Sequence, residues 1–292
     1  MNITYSLLAI TLIITLVTND KILTWLCIIT TNLVGLAQDI INSESLSYLI
    51  LLGIICLTHY NYRNMWGKWA QFIVFLIIAI LAAAFSFHVI PGFANELAIP
   101  KTNLSIYSSP FVMYLNFDKT MAALIIYSMS NSNALIARNI LSKRSVGLTM
   151  IYLGLCICVT LGLSILSGYV QYDPKIPHVL WLWIINNLLF VCVAEEIIFR
   201  FFLQNELKKW LQTLMPFSYM HIILAAVIFG AAHYNGGLKY ILLASICGLF
   251  YGNIYNKTNT ILYSVLIHFG LNLFHILLFT YPSASVLNIS MF

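Results

Sequence analysis

Apolar segments of membrane-spanning or near-spanning length follow one another along almost the whole 292-residue chain. They cover roughly 3–18, 22–41, 46–60, 69–90, 119–130, 146–170, 179–203, 217–234, 238–255 and 260–280. A helix needs about 20 apolar residues to cross ~30 Å of hydrocarbon, and the third and fifth segments are short for that. Inside a bilayer only helices and closed barrels satisfy their own backbone polar groups. The runs here are continuous, without the alternation of barrel strands. The expected fold class is therefore all-α, a polytopic transmembrane helical bundle of about ten spans. Composition agrees: 61% of residues are hydrophobic and only 8% charged, with mean hydropathy +0.91.

The few charges carry topology. Alternation through ten spans puts Arg63, Lys68, Arg138, Lys143, Arg144, Lys208, Lys209 and Lys257 on one side, which the positive-inside rule makes cytoplasmic. Lys101, Lys119, Asp173, Lys175 and Lys239 fall opposite, and both termini come out non-cytoplasmic. The net charge of +5 is thus scattered over short connections, with no basic stripe, which excludes nucleic acid as a partner. Cys27, Cys56, Cys156, Cys158, Cys192 and Cys247 all lie in apolar runs without a CxxC spacing and read as small hydrophobes. The first run lacks a basic n-region and a cleavage site and reads as a retained span. Trp66, Trp69, Trp181, Trp183 and Trp210 sit near expected span ends, where tryptophan anchors the interface.

Two connections depart from the short norm. Residues 91–118 form a long Pro-, Ser- and Asn-bearing link, either a lid or binding loop or else a loose external loop. Residues 131–144 mix Leu and Ile with Arg and Lys, as a helix lying among anionic headgroups would. On this basis 1–118 is an N-terminal transmembrane extension with a long external loop, and 119–292 is a helical core, unless the whole chain is one domain. Expected partners on this basis are membrane lipids.

The chemistry gathers in the last 115 residues. Glu195 and Glu196 lie inside an apolar run that also holds Arg200, and each such charge costs ~2.5–3.5 kcal/mol at a helix centre. Glu196 and Arg200, four apart, share a helix face and can pair. Glu195 points about 100° away and is left available. Phe229-x-x-x-His233 and His268-x-x-x-Asn272 follow on later apolar runs. If the chain reverses near 214, with Pro216 opening the next helix, Glu195 and His233 each lie about 28 Å from the turn at 1.5 Å per residue. That arithmetic predicts a Glu195–His233 contact on antiparallel neighbours, with His268 and Asn272 within a turn or two of the same level. A carboxylate beside an imidazole can deprotonate a water. A His and an Asn on one face can donate to a developing oxyanion. Together they describe amide hydrolysis by activated water.

Glu-Glu-x-x-x-Arg, Phe-x-x-x-His and His-x-x-x-Asn, in that order on successive hydrophobic helices, resemble the CPBP family of intramembrane endopeptidases. That family includes type II CAAX prenyl proteases and the bacteriocin-processing or Abi proteins. The resemblance covers about 179–280. It implies that Glu195 and His233 activate the water, that His268 and Asn272 stabilise the transition state, and that Glu196, Arg200 and Phe229 support the site. The implied substrate is a membrane-anchored protein or peptide, lipid-modified in the CAAX branch. The implied location is the membrane as a multi-pass protein, the plasma membrane if the cell is bacterial.

The resemblance implies no cofactor. Zinc stays open from the residues alone, with Glu195, His233 and His268 as its ligands, although HExxH is absent. Two other classes stay open as well. Intramembrane Glu, Arg and His also mark proton-coupled transporters, and a catalytically silent binding or immunity protein could keep the scaffold. His88, His178, His221 and His275 read as packing or interfacial residues, His275 being best placed to line a cavity. Asn186 and Asn187 read as bonding across helices.

Overall fold

The computed structural model describes residues 2–130, 142–212 and 219–285. It is 74% helical, so the all-α expectation holds apart from one small two-stranded sheet. The helices are α1 (Ile3–Val17), α2 (Lys21–Ala37), α3 (Ser43–Tyr62), α4 (Lys68–Ser86), α5 (Phe117–Met129) and α6 (Lys143–Leu166). They continue with α7 (Leu180–Leu211), α8 (Met220–Ala231), α9 (Gly237–Thr258) and α10 (Ile261–Leu278). The strands are β1 (Glu96–Thr102) and β2 (Phe111–Leu115).

Among the described residues, six helices are long and apolar enough to cross a membrane: α3, α4, α6, α7, α9 and α10. The chain is an integral membrane protein. The expected count of about ten full spans is not reached by this measure, because α1, α2, α5 and α8 have only 15, 17, 13 and 12 residues. At 1.5 Å per residue those give about 18–26 Å, short of the hydrocarbon thickness. The segment at 46–60, expected to be short, is instead a full 20-residue helix, started by a capping box between Asn42 and Ser45. Asp20, Ser142 and Thr260 cap α2, α6 and α10 in the same way, each accepting a bond from the first turn.

The chain forms two compact units. The first comprises Met1–Glu96, Leu115–Ala137 and Leu189–Pro216. Its centre is α5, where every residue from Phe117 to Ser128 is buried against α1, α2, α3, α4 and the second half of α7. A helix enclosed on all sides must pair whatever charge it carries. Asp118 and Lys119, in its first turn, are such charges.

The second unit comprises Leu97–Tyr114, Arg138–Leu188 and Phe217–Phe292. Here α8 packs on α9, α9 on α10, and α6 on both α9 and α10. The α8–α9 approach is close enough to require glycine. A Cβ on Gly248 would stand 2.9 Å from Ala226 Cα, and one on Gly230 would stand 2.5 Å from the Ile241 carbonyl oxygen.

The link at 91–118 is neither a simple lid nor a loose loop. Its strands bury Ile99 and Met113 in a core with Trp183 and Ile276, and Ser109 donates its backbone N–H to the Ser283 carbonyl (2.9 Å). Trp183, expected at the interface, is buried there, its indole N–H on the Tyr281 hydroxyl at 3.2 Å. Trp69 and Trp181 do lie exposed at helix starts. Pro216 and nearly all of the 131–144 segment lie outside the described residues.

Candidate functional site

The sequence-derived residues divide between the two units: Glu195, Glu196 and Arg200 in the first, Phe229, His233, His268 and Asn272 in the second.

In the first unit, Glu195 and Glu196 occupy a single α-turn, Ala194–Glu196, between two wide π-helical stretches, Asn186–Val193 and Ile197–Gln204. Such widened turns are rare and collect at functional sites. Arg200 Nε donates to Glu196 Oε2 at 3.0 Å, and both side chains are wholly buried. The i,i+4 pair read from the sequence is therefore present.

Glu195, expected to stand unpaired, does not. Its Oε1 accepts from Lys119 Nζ at 2.9 Å, with both side chains about nine-tenths buried. The sequence placed Lys119 in a connection as a marker of membrane side. The structure puts it inside, on the first turn of α5, and a polar clamp fixes that turn. Asn95 accepts from the Phe117 backbone N–H (2.8 Å) and donates to Asp118 Oδ1 (3.1 Å). His88 Nδ1 stands 2.7 Å from Asp118 Oδ2. A signal was available: an adjacent Asp and Lys opening an apolar run, in a chain with so few charges, need partners.

In the second unit, Phe229, His233, His268 and Asn272 line one cavity of about 50 Å³, joined by Tyr251 and His275. That is room for a few waters, since ~10–15 Å³ of such space holds one. Phe229 ties the imidazoles together. Its ring lies 4.7 Å from that of His233 and 5.8 Å from that of His268, the latter edge-on. His268 also stacks on Tyr251 at 4.7 Å and 18°. His233 Nδ1 lies 2.7 Å from the Phe229 carbonyl oxygen. A carbonyl only accepts, so Nδ1 carries a proton. Asn272 Nδ2 donates to Asn187 Oδ1 at 3.2 Å, which fixes the amide. Asn187 thus bonds across helices as its sequence position suggested. Tyr251 was not foreseen.

Outside the membrane-spanning helices, Tyr169 lines the same cavity, its ring stacked on Tyr240 at 5.5 Å. Burial pushes its phenol above the ordinary tyrosine value. Among the described residues, no group of three or more His, Cys, Asp or Glu side chains is arranged to hold a metal ion. The zinc ligand set of Glu195, His233 and His268 gains no support, and no step is derived through a metal.

Residues 177–274 match the family model of Rce1-like type II CAAX prenyl endopeptidases. The matched stretch contains all seven residues singled out from the sequence. No curated protein and no solved structure matches the chain.

Proposed function

From this family match, which marks the chain as a peptidase of the CAAX prenyl endopeptidase type, we propose that it is an intramembrane endopeptidase using a Glu/His-activated water. The observation that carries the reading is Phe229 in ring contact with both His233 and His268 at one cavity with room for water. In the proposed reaction Glu195 and His233 Nε2 hold the attacking water. As its oxygen bonds to the scissile carbonyl carbon, the water's proton passes to Glu195. The carbonyl oxygen becomes an oxyanion and takes donors from His268 and Asn272. The C–N bond then breaks, and Glu195 returns the proton to the departing amine. Glu196 and Arg200, buried and paired, hold this part of α7 in place.

CAAX prenyl proteases act on membrane-associated, prenylated proteins. The proposed substrate here is a membrane-anchored protein or peptide, and in a bacterial cell the enzyme would work in the plasma membrane. The proposed peptidase core is 119–292, with 1–118 as its extension. The zinc-dependent and transporter alternatives receive no support from the family match or the described residues.

The test compares the termini of membrane proteins in cells carrying the wild-type chain or Glu195→Gln. New termini present only with the wild type, and lost equally in His233→Ala, are the expected result. Identical terminal profiles, with both variants present in the membrane at wild-type levels, would overturn the proposal.

A further inference from the structure

The cations read from the sequence as topology markers include three that line a second cavity, wholly within the first unit and unused by the proposed chemistry. Arg63 follows α3, Lys68 opens α4, and Lys209 lies in the last turns of α7. With Gln71, Phe72, Glu206 and Trp210 they enclose about 180 Å³. We infer that this cleft binds the phosphate of an anionic phospholipid headgroup at the cytoplasmic face of the membrane.

Charge is the first argument. Glu206 is the one carboxylate in the cleft, and its charge is committed inward. It takes Arg63 Nη1 at 3.1 Å and Lys209 Nζ at 2.6 Å, and His59 Nε2 lies 3.3 Å away in a contact that is ionic in geometry. Three cations against one carboxylate leave a surplus of two positive charges. Such a surplus favours an anion that joins it. Among the described residues Lys68 has no ion-pair partner of its own.

Preorganisation is the second. Gln71 Nε2 donates to the Arg63 and Trp66 carbonyls at 2.8 and 2.9 Å, and so pins the turn that carries Arg63. The guanidinium is thus fixed by Glu206 on one side and the Gln71 segment on the other. A planar fork held in this way suits phosphate oxygens. The cleft also lies at the start of α4, a 19-residue helix whose N-cap, Gly67, has no side chain to satisfy the first N–H groups.

The third argument selects a lipid over a free anion. Phe72 and Trp210 stack at 4.4 Å and 20° as one apolar wall, and Phe75 continues it one turn deeper along α4. A ligand polar at one end and apolar at the other matches cations at the mouth and aromatic rings behind them. The cleft lies on the side that the basic connections assign to the cytoplasm, where membranes present anionic headgroups.

The experiment uses the purified full chain in detergent micelles, titrated with phosphatidylglycerol, phosphatidylcholine or inorganic phosphate, and reads thermal unfolding and intrinsic tryptophan fluorescence. Phosphatidylglycerol is expected to raise Tm and change the Trp210 signal, and phosphatidylcholine to do neither. Lys68→Gln, which breaks no bond within the protein, is expected to weaken the apparent affinity for phosphatidylglycerol about fivefold. That corresponds to the ~1 kcal/mol of one basic side chain near an anionic lipid surface. Lys68→Arg should restore it. Equal responses to the two lipids, or an unchanged affinity in Lys68→Gln, would overturn the inference. So would inorganic phosphate alone reproducing the full shift, which would assign the cleft to a free anion. The result is independent of peptidase activity.

Discussion

Lys119 Nζ reaches Glu195 Oε1 at 2.9 Å across the interface of α5 and α7. The proposed water-activating carboxylate therefore has a built-in counter-ion, delivered by a helix that is enclosed along its whole length. An ammonium at this distance fixes the rotamer of the carboxylate.

Removing that ammonium tests its role. A charge-assisted bond is worth ~1.5–3 kcal/mol, so Lys119→Met should lower kcat on a cleaved peptide by about 10- to 100-fold. Lys119→Arg should recover part of the loss. Unchanged turnover in Lys119→Met, with the protein still monodisperse on size exclusion, would reduce the pair to packing.

The second ion pair makes a different prediction. Arg200 and Glu196 are both fully buried, and removing one partner of such a pair costs ~3–5 kcal/mol because the other charge is stranded. Glu196→Gln and Arg200→Met should each lower Tm sharply. The double variant Glu196→Leu/Arg200→Met should lie closer to wild type than either single variant, which a melting curve can show.

At the second unit's cavity, Asn187 holds the Asn272 amide. Losing an oxyanion donor costs ~2.7–4 kcal/mol, so Asn272→Ala should reduce kcat by about 100- to 1,000-fold. Asn187→Ala leaves the donor present but unfixed, and its loss should be smaller and confined to kcat. A KM effect without a kcat effect in either variant would remove Asn272 from the oxyanion role.

Helix spacing sets up the fourth prediction. Gly230 adjoins Phe229, and a side chain there would strike Ser245 and the Ile241 carbonyl. Overpacking of this kind costs ~1–3 kcal/mol. Gly230→Val should lower both Tm and activity, since α8 cannot move off α9 without carrying Phe229 and His233 along. Retained wild-type Tm would show that the approach of the two helices is looser than the structure has it.

The sequence was most readable where chemistry repeats at helical spacing. The Glu196–Arg200 pair and the Phe229–His233 ring contact follow from i,i+4 geometry alone, because neighbours one turn apart need no tertiary information. The grouping of His233 with His268 and Asn272 needed two helices, α8 and α10, but each brought a polar residue that an apolar environment forces toward others. Lys119 was misread for the opposite reason. Its partner is 76 residues away, and only burial, which no local pattern encodes, distinguishes a charge inside from one in a connection. Trp183 failed in the same way: proximity to a helix end suggested the interface, and the strand residues Ile99 and Met113 that cover it come from a distant stretch. The short α1, α2, α5 and α8 show that hydropathy marks where apolar residues run, while caps and turns decide how far a helix extends.

The widened coils on either side of Glu195 have one last implication. Each π turn accommodates an extra amino acid relative to regular winding, so the direction in which the two acids project depends on how many residues precede them. Were the same residues wound as a regular helix, everything beyond that coil would be turned by about 100°. Hydropathy would not register such a rewinding, yet Glu195 would rotate off Lys119. Along this helix the aim of the acids is set by how the coil is wound as well as by its residue count.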